Sequence, residues 1–192
     1  MTFDFAAARD IMVDSQVRPN DVPDMAIQHA MRTVAREQFC PAGKAQMAYA
    51  DAELEYAPGR FALRPRHVAK LLYAVAPRPG ERALAIAAPY AAAVLEKVGL
   101  TVIRHDGEDL KTPPAGEFDV VICEGGVSEP PAAWLAALAP GGRLGVIVRQ
   151  GAAGEARLYL RAGVGAEVGW RTVFDAAPPV LAGLGAQPGF VF

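Results

Sequence analysis

The residue types that carry out most enzyme chemistry are few in this chain, and their spacing builds neither a metal site nor a nucleophilic triad. The histidines, serines and cysteines are His29, His67, His105, Ser15, Ser128, Cys40 and Cys123. The histidines lie on separate predicted elements, without an i, i+4 pair or a neighbouring cysteine, so we expect surface or helix-flank histidines and no metal. Ser128 lacks the glycines of a nucleophile elbow. Two cysteines are too few for a disulfide scaffold, and Cys123 ends an apolar run, which indicates a core thiol.

One acidic residue is well placed for chemistry. Glu124 directly follows the apolar run at residues 118–123 and precedes Gly125 and Gly126. The run predicts a buried strand, and α/β proteins bind ligands at the carboxyl ends of such strands. Glu124 is therefore the best-placed acidic group for a ligand pocket, although a loop that leads into a helix explains it equally well.

Strand and helix patterns alternate after Gly80 and would position that group. Strands are predicted at residues 83–86, 100–103, 118–123, 144–148, 156–160 and 172–174, and helices at 89–98 and 131–138. This alternation predicts an α/β fold with a mainly parallel sheet covered by helices on both faces. The turns before the last two strands are too short for a crossover helix, which favours an antiparallel edge.

The residues before Pro77 have helical periodicity instead and predict an N-terminal helical cap. Apolar residues recur at helical spacing over residues 5–17 and 25–34, and a third helix begins near Pro65. The dipeptide Asn20-Asp21 is a candidate cap of the second helix, with Pro23 in its first turn. Residues 42–62 lack a sustained period and predict an ordered loop region.

The charge balance excludes several classes of partner. Lys and Arg number 19 against 21 Asp and Glu, which gives a net charge of −2. A strongly basic nucleic-acid binder and a polybasic membrane-surface protein are therefore not expected. No apolar run approaches the roughly 18 residues of a membrane span, and the first residues lack a signal-peptide pattern, so we expect a cytoplasmic protein.

Several segments occur in an order that identifies a family resemblance. They are residues 12–17, 35–41 (Ala-Arg-Glu-Gln-Phe-Cys-Pro), 48–51 (Ala-Tyr-Ala-Asp), 118–122 and 140–144 (Pro-Gly-Gly-Arg-Leu). Together they resemble the protein-L-isoaspartate O-methyltransferase family, especially its bacterial members. The resemblance implies a Rossmann-like class I methyltransferase fold that uses S-adenosylmethionine to methylate isoaspartyl carboxylates. It also implies two parts in one compact unit, residues 1–78 as helical cap and substrate-loop region and residues 79–192 as the methyltransferase-type domain.

The cofactor turn departs from the family pattern. Where the family carries an acidic residue followed by Gly-x-Gly-x-Gly-Tyr, this chain has Ala-Ile-Ala-Ala-Pro-Tyr at residues 85–90, and only Tyr90 matches. Alanine in a left-handed conformation costs on the order of 1 kcal/mol, so the substitution predicts a different, ordinary turn here. Pro89 also removes an amide donor from the start of the helix.

The substrate loop departs as well. The family's Thr-Ile-Ser-x-Pro corresponds to residues 61–65, in which Leu63 replaces the serine and has no hydrogen-bonding group. Arg64 and Arg66 can attract a carboxylate, or they are two solvated arginines at a helix N-terminus.

A third departure is a deletion. Only one helix fits between residues 83–86 and the next strand, so the chain lacks one βα unit of about 25–30 residues. That unit supplies the family's ribose-binding acid. Asp106 is a possible replacement. The segment 105–107 also matches the family's later Gly-Asp-Gly near the adenine, and Asp106 before Gly107 equally suits a plain turn.

Two functional hypotheses follow from these departures. In the first, cofactor binding is lost, so no cofactor is expected and the chain is a non-catalytic binding or regulatory protein. Its partner is then an unknown protein or a second copy, held through the cap or an exposed sheet edge. In the second, the chain is an active S-adenosylmethionine-dependent carboxyl methyltransferase with an altered loop. Its cofactor residues would be Ala87, Ala88, Tyr90, Asp106 and Glu124, with Asp51 and Arg64 near the substrate.

Overall fold

A six-stranded sheet with helices on one face and a helix plus loops on the other forms the body of the protein. The computed structural model describes residues 3–41 and 43–186. Its elements are α1 (Phe5–Met12), α2 (Met25–Thr33), β1 (Leu54–Ala57), β2 (Arg60–Ala62), α3 (Pro65–Val75), β3 (Arg82–Ile86), α4 (Pro89–Val98), β4 (Thr101–His105), β5 (Phe118–Val127), α5 (Ala132–Ala136), β6 (Leu138–Gln150), β7 (Ala153–Arg161) and β8 (Val168–Asp175).

The strand order of the sheet is β4-β3-β5-β6-β7-β8. Strands β4, β3, β5 and β6 are parallel, whereas β7 and β8 follow as an antiparallel meander. This arrangement confirms the predicted mainly parallel sheet with an antiparallel edge. Residues 106–117, which lead from β4 across β3 to β5, contain no helix, so one βα unit is absent as predicted.

Two apolar clusters lie on the two faces of the sheet. Strand β3 illustrates the alternation, since Ala83 and Ala85 belong to the cluster under α2, α3 and α4, whereas Leu84 and Ile86 belong to the other. The second cluster is covered by α5 and by loops. Its centre is the fully buried Trp134, whose indole Nε1–H donates to the carbonyl of Leu110 at 2.7 Å.

Local signals define α4 as the sequence predicts. Pro89 occupies the first helical position, where no amide donor is needed, and Gly99 ends the helix with φ of 108°. The predicted and observed bounds are identical. Because α4 begins directly after β3, the start of this helix faces the carboxyl edge of the sheet.

The N-terminal helices differ from the prediction in detail. The first helix ends at Met12 and continues as a π-helical turn at Val13–Val17. The cap of α2 is Asp24, whose carboxylate accepts the amide of Ile27 at 2.9 Å. The predicted cap is wrong because Asp21 adopts a left-handed conformation with φ of 59°.

Two further boundaries depend on tertiary contacts. The predicted loop 42–62 contains a 3₁₀ turn at Ala45–Tyr49 and the β1–β2 hairpin. Helix α5 ends two residues before the predicted Leu138, because Leu138 already pairs with Phe118 in the ladder between β5 and β6. Among the described residues, no helix combines the length and the apolar character needed to cross a bilayer.

Candidate ligand site at the carboxyl edge of the sheet

The turn from β3 into α4 keeps a left-handed residue although it has no glycine. Ala87 has φ of 45°, and Ala88 follows with φ of −133°. The predicted ordinary turn is therefore wrong. The Ala87 amide donates to the carbonyl of His105 at 3.1 Å, and its methyl group is buried in the second apolar cluster. These contacts hold the turn against a conformational cost of about 1 kcal/mol.

Glu124 fills the start of α4 from inside the protein. Its side chain is fully buried, and Oε1 accepts the amide of Ala91 at 2.6 Å while Oε2 accepts the amide of Leu63 at 3.2 Å. Burial raises the pKa of the Glu124 carboxyl, although the Arg36 guanidinium and the two amides oppose that rise. The carboxylate thus takes a helix amide donor that an external anion would otherwise use.

Arg36 and Tyr90 close the space beside this carboxylate. Arg36 is buried and donates from Nε to the carbonyl of Ala48 at 2.8 Å and from Nη2 to the carbonyl of Leu63. Its guanidinium carbon lies 4.5 Å from the ring centroid of Tyr90, a cation–π contact. Tyr90 is itself fully buried, which raises the pKa of its hydroxyl.

The structure brings the five predicted cofactor residues to one edge and seals four of them. Ala87, Ala88, Tyr90 and Glu124 expose between 0% and 1% of their surface. No space that admits a water molecule therefore adjoins these side chains. Asp106 is the exception, since it lies exposed on the loop that directly follows β4.

The chain's own residues 178–184, which we call the C-terminal strap, cover this edge from outside. The Gly126 amide donates to the carbonyl of Pro179 at 2.9 Å, and the Leu181 amide donates to the carbonyl of Gly126 at 2.8 Å. On the other side, the Ala182 amide donates to the carbonyl of Gly59 in the β1–β2 turn at 3.2 Å. The strap thus connects the hairpin to the end of β5.

Leu181 anchors the strap, and its position explains why residue 125 is a glycine. Its side chain is buried over Gly125, where an added Cβ would lie 2.6 Å from Leu181 Cδ2. The sequence predicts an ordered loop or tail over residues 178–189, with Phe190, Val191 and Phe192 as apolar residues that dock it. The hydrogen bonds of the strap agree with this prediction over residues 178–184, and the docking of the last three residues falls outside the described residues.

The two candidate substrate residues belong to a cluster of ion pairs before α3. Arg64 forms a bidentate pair with Glu53, with both N–O distances at 2.7 Å. Asp51 pairs with Arg66 at 3.2 Å and not with Arg64. Both arginines lie at the N-terminus of α3 and are partly exposed, as the interpretation of solvated arginines expects, but acidic neighbours already pair with both guanidinium groups.

His67, in the same cluster, is 8% exposed and lies against the ring of Phe174, so its predicted surface or helix-flank position is wrong. Burial and the neighbouring Arg64 lower the pKa of His67 to about 4, although Nδ1 lies 3.7 Å from Glu53 Oε1. The described part of the chain holds no group of three or more residues suited to bind a metal ion.

Cys123 and the two tryptophans lie outside the candidate ligand site. Cys123 is fully buried, as predicted for a core thiol, and its burial raises the thiol pKa. The sequence favours packing residues over stacking platforms for both tryptophans. Trp134 is fully buried in the core, whereas Trp170 is 53% exposed and its ring lies 4.0 Å from the guanidinium carbon of Arg157.

Four of the five predicted cofactor residues expose 0–1% of their surface, so the described residues present little surface to S-adenosylmethionine at this edge. Binding it would need a free helix N-terminus, an acid toward the ribose and an open pocket. The Ala91 amide is taken by Glu124, and the family's acidic position holds the buried Ala85.

The sequence reasoning missed three residues of this site: Arg36, Glu53 and Leu181. Arg36 lies within the recognised segment 35–41, but only its burial distinguishes it from the surface arginines. The pairing of Glu53 with Arg64 depends on the hairpin that brings them together. A leucine between glycines and prolines was the available signal for Leu181.

Comparison with known proteins gives relatives of one kind. No family model matches the chain. It is 35% identical to the protein-L-isoaspartate O-methyltransferase of Methylorubrum extorquens over 168 residues, which covers 73% of this chain and 74% of the relative. The enzyme of the same name from Methylorubrum populi is 36% identical over 166 residues, covering 72% and 78%. The alignment with the first relative is 168 residues long, which is more than the 73% of this 192-residue chain that it covers. The first relative therefore carries residues within the aligned region that this chain lacks.

Solved structures agree in fold. A Plasmodium falciparum protein described as a protein-L-isoaspartate O-methyltransferase, solved with S-adenosyl-L-homocysteine, superposes with a TM-score of 0.68 at 15% identity, covering 90% of this chain and 97% of that one. A second protein-L-isoaspartate O-methyltransferase gives a TM-score of 0.70 at 19% identity, covering 95% and 67%. At these identities the structures support the Rossmann-like methyltransferase fold. Together with relatives at 35–36% identity over about three quarters of their length, they identify this chain as a member of the protein-L-isoaspartate O-methyltransferase family.

Proposed function

We propose that this chain is a non-catalytic member of its family, which has lost S-adenosylmethionine binding and acts as a binding or regulatory protein. The observation that carries the proposal is the sealing of the cofactor position, where Ala87, Ala88, Tyr90 and Glu124 are all buried. A ligand of the size of S-adenosylmethionine needs a cavity of several hundred Å³. Opening one here would uncover a buried carboxylate and a buried guanidinium group.

Electrostatics supports the same conclusion. The positive end of a helix dipole favours an anion close to its first amides. In this chain the Glu124 carboxyl already accepts the Ala91 amide at that position, and because it is covalently part of the neighbouring strand it competes with any external ligand at a very high effective concentration. Its second oxygen accepts the Leu63 amide, so the same carboxylate links the cap to the sheet.

The second candidate is an active isoaspartyl methyltransferase, which the names of the relatives at 35–36% identity favour. Its substrate would meet Asp51 and Arg64, each of which would have to leave an existing ion pair. The strap and Glu124 would also have to withdraw before the cofactor could enter. The first proposal requires none of these rearrangements.

Isothermal titration calorimetry with S-adenosylmethionine and S-adenosyl-L-homocysteine, up to about 1 mM, tests the choice. The Methylorubrum extorquens relative, titrated under the same conditions, is the positive control. We expect no heat of binding from this chain when circular dichroism shows that it is folded. Micromolar binding, or methylation of an isoaspartyl peptide, would overturn the proposal.

A further inference from the structure

Among the described residues, one side of strand β8 has no partner strand. It pairs with β7 on its other side, and residues 169–172 in its middle are exposed. A free edge offers a row of backbone donors and acceptors that another strand can use. Trp170 lies on this strand with about half of its surface in solvent, and tryptophan is enriched among the residues that dominate interface energies.

Two charged residues of β8 lack partners of opposite charge. Neither Arg171 nor Asp175 forms an ion pair with another described residue, and both are exposed. Asp175 lies directly opposite Glu155 of β7, a like charge, whose carboxylate is already engaged by Arg157 and Thr172. Like charges that face each other across strands are unfavourable, and because Arg157 is engaged with Glu155, Asp175 has no cation of its own among the described residues.

The spacing of these charges is symmetric about one residue. Arg171 and Asp175 lie two positions before and two positions after Val173. The pairing with β7 steps from Ala156–Phe174 to Arg157–Thr172, so Val173 is a bulge residue without an opposite residue on β7. The backbone groups of a bulge residue are left outside the ladder and are available to another strand.

We infer that β8 pairs antiparallel with β8 of a second copy of this chain, about a two-fold axis at Val173. This register places Arg171 of each copy opposite Asp175 of the other, and so supplies the missing cation twice. It brings each Trp170 beside Ala176 of the second copy. An isologous contact of this kind closes the assembly at a dimer and removes the free edge.

The opposite end of the sheet lacks these features. Strand β4 is also an edge, but it has five residues, and its arginine, Arg104, is already paired with Glu96 of α4 at 2.8 Å. The arginine of β4 therefore already has an ion-pair partner. Among the two edges, charge complementarity singles out β8.

The interface names a partner for the proposed binding function, namely a second copy of this chain. Only this functional interpretation rests on the proposed function. The test of the interface is independent of the cofactor. If the dimer is absent, the calorimetric result stands, and if S-adenosylmethionine binds, the measured dimer still stands.

Sedimentation velocity between about 1 and 200 µM protein tests the interface with a charge exchange. We expect the unmodified chain to form a dimer. Each single variant, Arg171→Asp or Asp175→Arg, puts like charges opposite each other at both ends of the contact and should raise the dimer Kd roughly tenfold or more. The double variant restores opposite charges, and its Kd should return to within about threefold of the original.

Two controls separate this interface from others. Lys97→Asp, which changes an exposed charge on α4 next to β4, should leave the dimer Kd unchanged. A monomer at every concentration overturns the inference, as does a dimer that survives both single variants. A dimer lost in Thr101→Pro, on β4, but retained in Arg171→Asp would assign the contact to the other edge and also overturn it.

Discussion

The carboxyl edge above β3 and the free edge at β8 are two places where a Rossmann-like sheet can meet a ligand or a partner, and in this chain they differ sharply. At the first, both oxygens of Glu124 are satisfied by backbone amides and the strap lies on top. At the second, a strand edge and two charges have no partner within the described residues, and a tryptophan on the same strand is 53% exposed.

The difference teaches that a fold and its ligand site are separable. The β3–α4 connection and the run of parallel strands are present, while the predicted cofactor residues Ala87, Ala88, Tyr90 and Glu124 are buried among this chain's own side chains. Function follows the site and not the fold, so the open edge is a better guide to this chain's role than the closed crevice.

Glu124→Ala should break the sealed region most severely. It leaves the Ala91 and Leu63 amides without acceptors and the buried Arg36 without a nearby anion, so we expect a loss of about 3–4 kcal/mol in the free energy of unfolding. Urea denaturation measures it. Glu129→Ala, which changes an exposed glutamate in the loop after β5, should change stability by less than about 0.5 kcal/mol. Equal effects for both would show that the Glu124 contacts do not stabilise the fold.

Leu181→Ala should loosen the strap. Removing a buried leucine side chain costs about 2–3 kcal/mol, and proteolysis within the strap should become faster. The matched control is Leu160→Ala on β7, near the open edge, where a leucine that is 46% exposed should contribute less than about 1 kcal/mol. A reversed order would contradict the distinction between a sealed and an open region.

His67 should make stability depend on pH. Its folded pKa of about 4 lies below the unfolded value of 6.5, so the neutral form stabilises the fold fully above pH 6.5. That stability is lost progressively as the pH falls from 6.5 to 4, by about 2 kcal/mol. Urea midpoints across this range measure the slope, and His67→Phe, which keeps a ring against Phe174, should flatten it. An unchanged slope would assign the pH dependence to other groups.

The smallest effect compares two left-handed alanines. Ala76, at the end of α3, has φ of 43° and is exposed, so Ala76→Gly should stabilise the fold by about 0.5–1 kcal/mol. Ala87→Gly relieves the same conformation but loses a buried methyl group, so its gain should be smaller. Thermal unfolding of the two variants measures the difference. A larger gain at Ala87 would mean that its methyl group contributes nothing to the core.

Elements with local signals could be predicted from the sequence. Helix α4 begins at a proline and ends at a glycine, and its predicted bounds match the structure. Strand β5 is predicted at residues 118–123 and continues to Val127 in the structure. The β1–β2 hairpin could not be predicted, because its turn is held by the strap from more than a hundred residues away. The same limit applies to His67, whose burial depends on Phe174.

The sequence predicts where the site lies, but not whether its side chains face an open pocket. The strand-end rule correctly placed Glu124 and the turn at residues 87–90 together. Whether a carboxylate at that point faces a pocket or a pair of backbone amides depends on the path of the cap, which brings Leu63 within 3.2 Å. Nor does an alanine indicate that its backbone is left-handed, since alanine is the least expected residue type there.

The left-handed turn at Ala87 also bears on protein engineering. Because its backbone already has the conformation that favours glycine, Ala87→Gly introduces the residue without a new backbone path. An attempt to install nucleotide binding would therefore begin with side chains, by shortening Glu124 and Tyr90 and removing the Leu181 anchor. The direction in which α4 leaves the sheet would need no redesign.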